Sequence, residues 1–370
     1  MVYKFGDIAY NITEKRSPKP EDSQNYIGLE HLDSGSLYVN RYGIDVELKG
    51  DKLVMHKGDI LLGKRNAYLR RTAIAPHDGL FSAHGMILRP KEVILSEFFP
   101  FFVASDKFFD DVIRISVGGL SPTVNWKDIK ELEFDLPSLA EQKVLAEKLW
   151  AAYEVKQSYL KMIAATEEMV KAQFIEMFGG GNWPQTTLGE VGSFTRGGGF
   201  QKSDFVEHGI PCIHYGQIHT KFGPFITSHI TEISSDLEPK TKFASKGDLV
   251  IAITSEDTEG SCKSTAWLGD YPVAVGGHAA IYKHSMNPLY MSFFFKSALF
   301  NHAKIEYVHG TKVFEIKPDD IAKILVPCPP MSLQNHFSAI AEQADKSISE
   351  LRKSVDAIDK VIKSLINENL

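Results

Sequence analysis

The sequence predicts an α+β protein: two similar mixed α/β modules separated by two long helices that pack as an antiparallel coiled coil. Three observations predict it. From Ala344 to Leu365 the apolar positions Ala344, Ile348, Leu351, Val355, Ile358, Ile362 and Leu365 alternate steps of four and three, with charged side chains between them. That is the seam spacing of a coiled coil. From Ser138 to Phe178 there is no glycine or proline, and Leu160, Ile163, Val170, Phe174 and Met177 share one face, with Glu167 completing the spacing. A helix with a single apolar stripe cannot bury it alone, so each of these helices is the natural partner of the other. The third observation is that residues 182–329 repeat the plan of residues 1–136.

In chain order, residues 1–136 form the first module. Leu53 to Leu62 reads as a turn feeding a buried strand, and Phe98 to Phe109 as helix. Ser121-Pro122 breaks the chain before Trp126 to Lys130. The first spacer helix occupies 137–178, with Ser138 as N-cap and Glu141 completing a capping box. Gly179-Gly180-Gly181 ends it and forms a flexible joint. Residues 179–329 are the second module, and 330–370 the second spacer helix.

The repeat is specific. Phe5-Gly6-Asp7-Ile8 returns as Leu188-Gly189-Glu190-Val191, and Lys57-Gly58-Asp59-Ile60 as Lys246-Gly247-Asp248-Leu249. At one offset of 192, Phe101, Phe102 and Ser105 fall on Phe293, Phe294 and Ser297. The same offset places Gly118 on Gly310, Asp128-Ile129 on Asp320-Ile321, Pro137 on Pro329 and Gln142 on Gln334. One departure is visible: Asn182-Trp183-Pro184 has no counterpart before Tyr3. Duplicated modules, each trailed by a helix, can pack about a pseudo-twofold axis, which is the symmetry of a duplex with two half-sites. Helices of roughly 40 residues reach about 60 Å, enough to hold two heads one DNA turn apart, roughly 34–36 Å.

Composition bounds the function. At 370 residues, 43% hydrophobic and 24% charged, the chain reads as more than one globular domain. No apolar run reaches the roughly 18 residues that span a bilayer, and Met1 to Asp7 carries no signal-peptide pattern. Cys212, Cys262 and Cys328 are dispersed, which argues against a zinc ribbon and for a reducing, cytoplasmic setting. The net charge of −6 is spread evenly: each module carries −2 and each helix −1. No segment is a basic arm, so any nucleic-acid contact must come from local patches.

Catalytic signatures are absent. Gly58 to Arg65 fits GxxxxGK, but Arg65 stands where a magnesium-binding Ser or Thr belongs, and the middle reads as strand. Gly179–Gly181 and Gly197–Gly199 lack dinucleotide-binding spacing. There is no adenine-methyltransferase tetrapeptide, HExxH or GxSxG. Pro318-Asp319-Asp320 reads as a helix start, like Trp126-Lys127-Asp128. Eight of the thirteen histidines lie in 179–329, without metal-ligand spacing.

Taken in order, these marks resemble the DNA-specificity subunits of type I restriction–modification systems. The resemblance spans the whole chain. It rests on the Leu188-Gly189-Glu190-Val191 opening, the Lys-Gly-Asp pieces at Lys57 and Lys246, and the helix starts Pro137-Ser138-Leu139-Ala140-Glu141-Gln142 and Pro329 to Gln334. It implies a non-catalytic subunit whose two target-recognition domains each read half of a split double-stranded DNA sequence, with the helices setting the spacer. It also implies docking of two adenine methyltransferase subunits carrying S-adenosylmethionine, and of a restriction and translocase subunit using ATP and Mg. A stand-alone coiled-coil scaffold, or a hydrolase with dispersed catalytic residues, are the competing readings.

The repeated motifs are scaffold, so base-reading residues must come from polar loops. In the first module Lys64, Arg65, Asn66, Tyr68, Arg70 and Arg71 form a run without an acid. Arginine and lysine suit phosphates and guanine edges, and asparagine suits adenine. In the second, Lys202, His214, Tyr215, Gln217, His219, Thr220 and Lys221 mix donors with an aromatic. Ser255, Ser261 and Lys263 share a loop with Glu256, Asp257 and Glu259, and Lys312 occupies a turn matching Gly119-Leu120-Ser121.

Overall fold

The computed structural model describes residues 1–43 and 47–370. In the first module the sheet order is Ala9–Ile12, Gly85–Pro90, Ile60–Gly63, Thr72–Ile74, all antiparallel. In the second the equivalent strands run in the same order: Gly192–Arg196, Ala279–His284, Leu249–Ala252, Ser264–Trp267, with Phe225–Ile226 added in parallel at the edge. A smaller sheet accompanies each. Lys52–Met55 pairs with Gly79–Phe81 in the first module, as Lys242–Ala244 pairs with Val273–Val275 in the second. The central strands Ile60–Gly63 and Leu249–Ala252 are buried at every position, which explains why they read as continuous apolar runs.

The repeated residues are those whose bonds recur. Gly58 and Gly247 both adopt positive φ, +92° and +95°. Asp59 and Asp248 then close the same turn, accepting from the His56 and Ser245 amides at 2.8 Å each. Ser105 and Ser297 each accept from the amide three residues on, Phe108 and Phe300. Gly6 donates to the Lys130 carbonyl and Gly189 to that of Ala322, both at 2.9 Å. The opening edge also matches: Leu136 donates to the Met1 carbonyl as Cys328 does to that of Pro184.

The first long helix, Leu139–Phe178, starts at the expected capping box, with Ser138 N–H on the Glu141 carboxylate at 2.8 Å. The second is Met331–Asn367. Each is divided between two compact units, residues 1–160 with 352–370 and residues 161–351. In the first unit Leu149 and Tyr153 join the module core together with Ile366, and Lys156 pairs with Asp359 at 2.6 Å. In the second unit Val170, Phe174 and Phe178 pack with Phe337, Ala341 and Ala344. The start of one helix therefore meets the end of the other in the first unit and the reverse in the second, which is antiparallel packing. Burial of a ring such as Phe174, 7% exposed, contributes about 2–3 kcal/mol.

One seam position differs from the sequence pattern. Leu160 is 39% exposed, while Lys156, one step earlier, lays its stem in the seam. At the far end Leu365 packs partly buried against the first core, and Ile366 beside it is buried as well. A 3.6-residue helix drifts against a seven-residue repeat, so the contact face moves by one position where the helix docks on a module. The opposite face of the first helix stays open. Val144, Ala151 and Val155 are exposed in the first unit, and Met162, Ala165, Met169 and Ala172 in the second. Among the described residues, no helix is long and apolar enough to cross a membrane.

Candidate nucleic-acid interface

In the first module the central strand exits at Lys64. The Val124 amide donates to the Lys64 carbonyl at 3.0 Å, and Arg65 bridges Thr123. This ties the basic run to the loop 117–123. Asn66 and Arg70 adopt left-handed backbone, φ 53° and 48°, with a single turn Ala67–Leu69 between them. Asparagine tolerates that region and arginine does so at a cost of about 1 kcal/mol or more, so the loop must be held. Arg70 holds it by pairing with Asp106 and Asp110 of the helix Asp106–Arg114. Its fork is therefore spent inside the module. Asn66 accepts from Ser121 Oγ at 3.0 Å, while Tyr68 points outward, 55% exposed. Arg71 lends its carbonyl to the Gly63 amide.

A patch that the sequence run does not contain forms around Lys64. Lys15, Lys64, Asn11, Asn125 and Trp126 line an open cavity of about 260 Å³. Burial, then the Lys15 charge, lowers the Lys64 amine below its ordinary value. His84 is lowered by burial and then by Arg65, Lys64 and Lys52. Lys15 and Lys64, from distant stretches, thus line one cavity, with Arg65 and Lys52 near enough to lower His84, and such a concentration of positive charge attracts phosphate.

In the second module an open cleft of about 610 Å³ is lined by Arg196, Gln201, Lys202, His214, Tyr215 and His278. Tyr215 sits 4.5 Å from the His214 ring, 5.0 Å from His278 and 6.1 Å from His219, centroid to centroid. Gly199 lines this cleft, and the two glycines before it cross other main chain. A Cβ on Gly197 would lie 2.3 Å from the Gly276 carbonyl, and one on Gly198 2.6 Å from that of Lys240. Gly197 and Gly198 serve close packing of main chains, not a phosphate loop.

The sequence-predicted residues divide here. Lys202 and Lys221 are exposed. His214 is buried, caps Tyr215–Thr220 by accepting from the Gly216 amide, and has its pKa lowered by burial and then by Lys202 and His278. Gln217 is also internal: its oxygen takes the His214 amide and its nitrogen donates to Thr231. His219 lies 3.0 Å from the Thr254 carbonyl, and Thr220 Oγ1 donates to the Gly216 carbonyl. Ser255 pairs with Phe314 in a short ladder, Ser261 is buried, and Lys263 is exposed. Lys312 is exposed in a turn that begins at Gly310, φ +139°. Arg196, His278, Lys15 and His84 were not legible in the sequence. His278, Lys15 and His84 lie far along the chain from the runs they join, and no local spacing marks Arg196, although it lies shortly before Lys202.

Among the described residues no group of three or more His, Cys, Asp or Glu side chains could hold a metal ion. The Gly58 to Arg65 stretch is turn and buried strand, and Pro318–Ile321 is a short helix with proline in its first turn.

Residues 1–158 match the model of the type I restriction modification DNA specificity domain. Over 99% of its length the chain is 21% identical to the type I restriction enzyme MjaVIII specificity subunit of Methanocaldococcus jannaschii, covering 91% of that protein. Two solved structures share the fold. One, from work on complex assembly and conformational transition of the type I restriction–modification system, aligns over 100% of this chain and 97% of its own, with TM-score 0.56 and 18% identity. The other, the type I restriction–modification S subunit from M. genitalium, aligns over 99% and 94%, with TM-score 0.50 and 12% identity.

Proposed function

We infer that this chain, a member of the DNA-specificity subunits of type I restriction–modification systems, is the non-catalytic reader of a bipartite duplex sequence, one half-site per module. The observation that carries this reading is the recurrence of one scaffold with different polar surfaces. The turn, cap and strand-exit bonds repeat residue for residue, whereas the groups displayed beside them differ: Lys15, Lys64, Arg65 and His84 in one module, Arg196, Lys202, Tyr215 and His278 in the other. Basic groups position a duplex by its phosphates, and the varied side chains suit different base edges.

The open face of the first helix supports docking of an adenine methyltransferase in each unit, through Val144, Ala151 and Val155 in one and Met162, Ala165, Met169 and Ala172 in the other. On this reading S-adenosylmethionine belongs to the methyltransferase, and ATP and Mg to a translocating restriction subunit, all in the cytoplasm. The test is to purify the chain with its methyltransferase and map modified adenines on genomic DNA. A single split motif is expected. Modification at no split motif, or a motif that changes in both halves when residues 1–136 are exchanged, overturns the reading.

A further inference from the structure

The two modules keep one register up to the strand exit and another beyond it. Lys64 and Ile253 occupy the same place, each carbonyl taking the amide of Val124 or Ile316, at 3.0 and 3.1 Å. Thr72 and Ser264 then begin equivalent strands. Between them the first module has seven residues, 65–71, and the second has ten, 254–263. The scaffold is matched on both sides, and the insertion falls in this loop.

Both loops end on the same backbone device. Arg70 and Cys262, each two residues before the next strand, are left-handed at φ 48° and 62°. Neither residue type favours that region, so an outside contact must hold it. The contact comes from the equivalent helix in each module, with its polarity reversed. In the first, the loop supplies the cation, Arg70, and the helix Asp106–Arg114 supplies Asp106 and Asp110. In the second, the helix Ala298–Lys304 supplies the cation. Lys304 is 3% exposed and donates from Nζ to the Glu259 carbonyl at 2.9 Å and the Ser261 carbonyl at 2.7 Å. Burial also pushes the Lys304 amine below its ordinary value. An ammonium taken out of water needs such partners, and here both are loop carbonyls.

The loops so held differ in chemistry. Residues 65–71 display Arg65, Asn66, Tyr68 and Arg71, of which the arginines suit guanine edges and the asparagine adenine. Residues 254–263 display Glu256 and Glu259, whose carboxylates accept from the cytosine amino group, beside an exposed Lys263, while Asp257 takes the Gly260 amide. We propose that Arg70 and Lys304 are positioning residues for sequence discrimination, each locking the loop that reads one half-site. The proposal rests on the DNA-reading assignment above.

The experiment maps modified adenines with the chain in complex with its methyltransferase, comparing wild type, Arg70→Met and Lys304→Met. Each variant is expected to accept substitutions about tenfold more often in one half-site, the discrimination that one good base pairing supplies. The two variants must relax opposite halves and leave the other half unchanged. Lys304→Arg, which keeps a cation able to reach both carbonyls, is expected to restore most of the discrimination; if Lys304→Met fails to fold, Arg70→Met and Lys304→Arg carry the test. Uniform loss of modification with an unchanged motif, relaxation of both halves together, or an unchanged motif in every variant overturns the proposal. Failure of wild type to modify any split motif instead overturns the DNA reading, so the two failures are distinguishable.

Discussion

Gln142 and Gln334 offer a sharp test of the duplicated scaffold. Both are buried, 0% and 3% exposed, at the first turn of their helices. Gln142 takes the Leu95 amide at 2.8 Å and donates to the carbonyls of Val93 at 3.1 Å and Pro137 at 2.9 Å. Gln334 makes two of these bonds, from the Asn287 amide and to the Pro329 carbonyl, each at 2.9 Å. Replacement by leucine keeps the volume and strands the backbone partners. At about 1 kcal/mol net per bond, Gln142→Leu should cost about 3 kcal/mol and Gln334→Leu about 2 kcal/mol. Trp150 lies in the first compact unit and Trp267 in the second, so variants retaining one tryptophan report the units separately in urea. Gln142→Leu should move the Trp150 transition, and Gln334→Leu that of Trp267. A shift under about 0.5 kcal/mol, the scale of ordinary surface changes, or a larger effect from Gln334, would refute the clasp.

Two further outcomes are expected. Replacing Lys15 and Lys64 by glutamine should lower the slope of log affinity against log salt by about 0.9 for each phosphate that is no longer neutralised; an unchanged slope in a DNA titration removes the patch from the interface. Lys363 and Arg70 hold the Asp106 carboxyl below its ordinary value, and Asp106 binds the second helix through Lys363 at 2.6 Å. A lowered folded-state pKa contributes stability that is present above the unfolded value of 3.8 and is lost as pH falls through the folded value. Asp106→Asn should therefore cost about 1 kcal/mol near pH 7, the scale of a partly exposed pair, and the gap from wild type should close as pH drops below about 4, followed by thermal unfolding.

The fold was legible because its determinants are local. Helix length needed only a stretch free of glycine and proline, and its start needed Ser138 and Glu141 three residues apart. The duplication was legible because turns demand particular residues: glycine for positive φ at 58 and 247, and an acid to close the turn at 59 and 248. The sheets were less legible. Strands of two to six residues carry little periodicity, and their order depends on pairing between distant segments. The seam failed at Leu160 because a heptad pattern assumes a continuous helical partner, whereas each helix end also docks on a module.

The candidate interface was legible only in part, for a reason that follows from the same division of labour. A residue that must hold a loop and a residue that must read a base are drawn from the same chemical types. Arg70 and Arg71 are adjacent in one basic run, yet Arg70 is bound to Asp106 and Asp110. His214 and Gln217 look like readers, yet one caps a helix and the other bonds Thr231. Conversely Lys15 joins Lys64 only because two sheets bring them to one cavity. Polarity in a loop therefore narrows the field without assigning the role. The role is fixed by whether the side chain's bonds are already satisfied within its module, and a clamp such as Lys304 reaches the DNA only through the loop it holds.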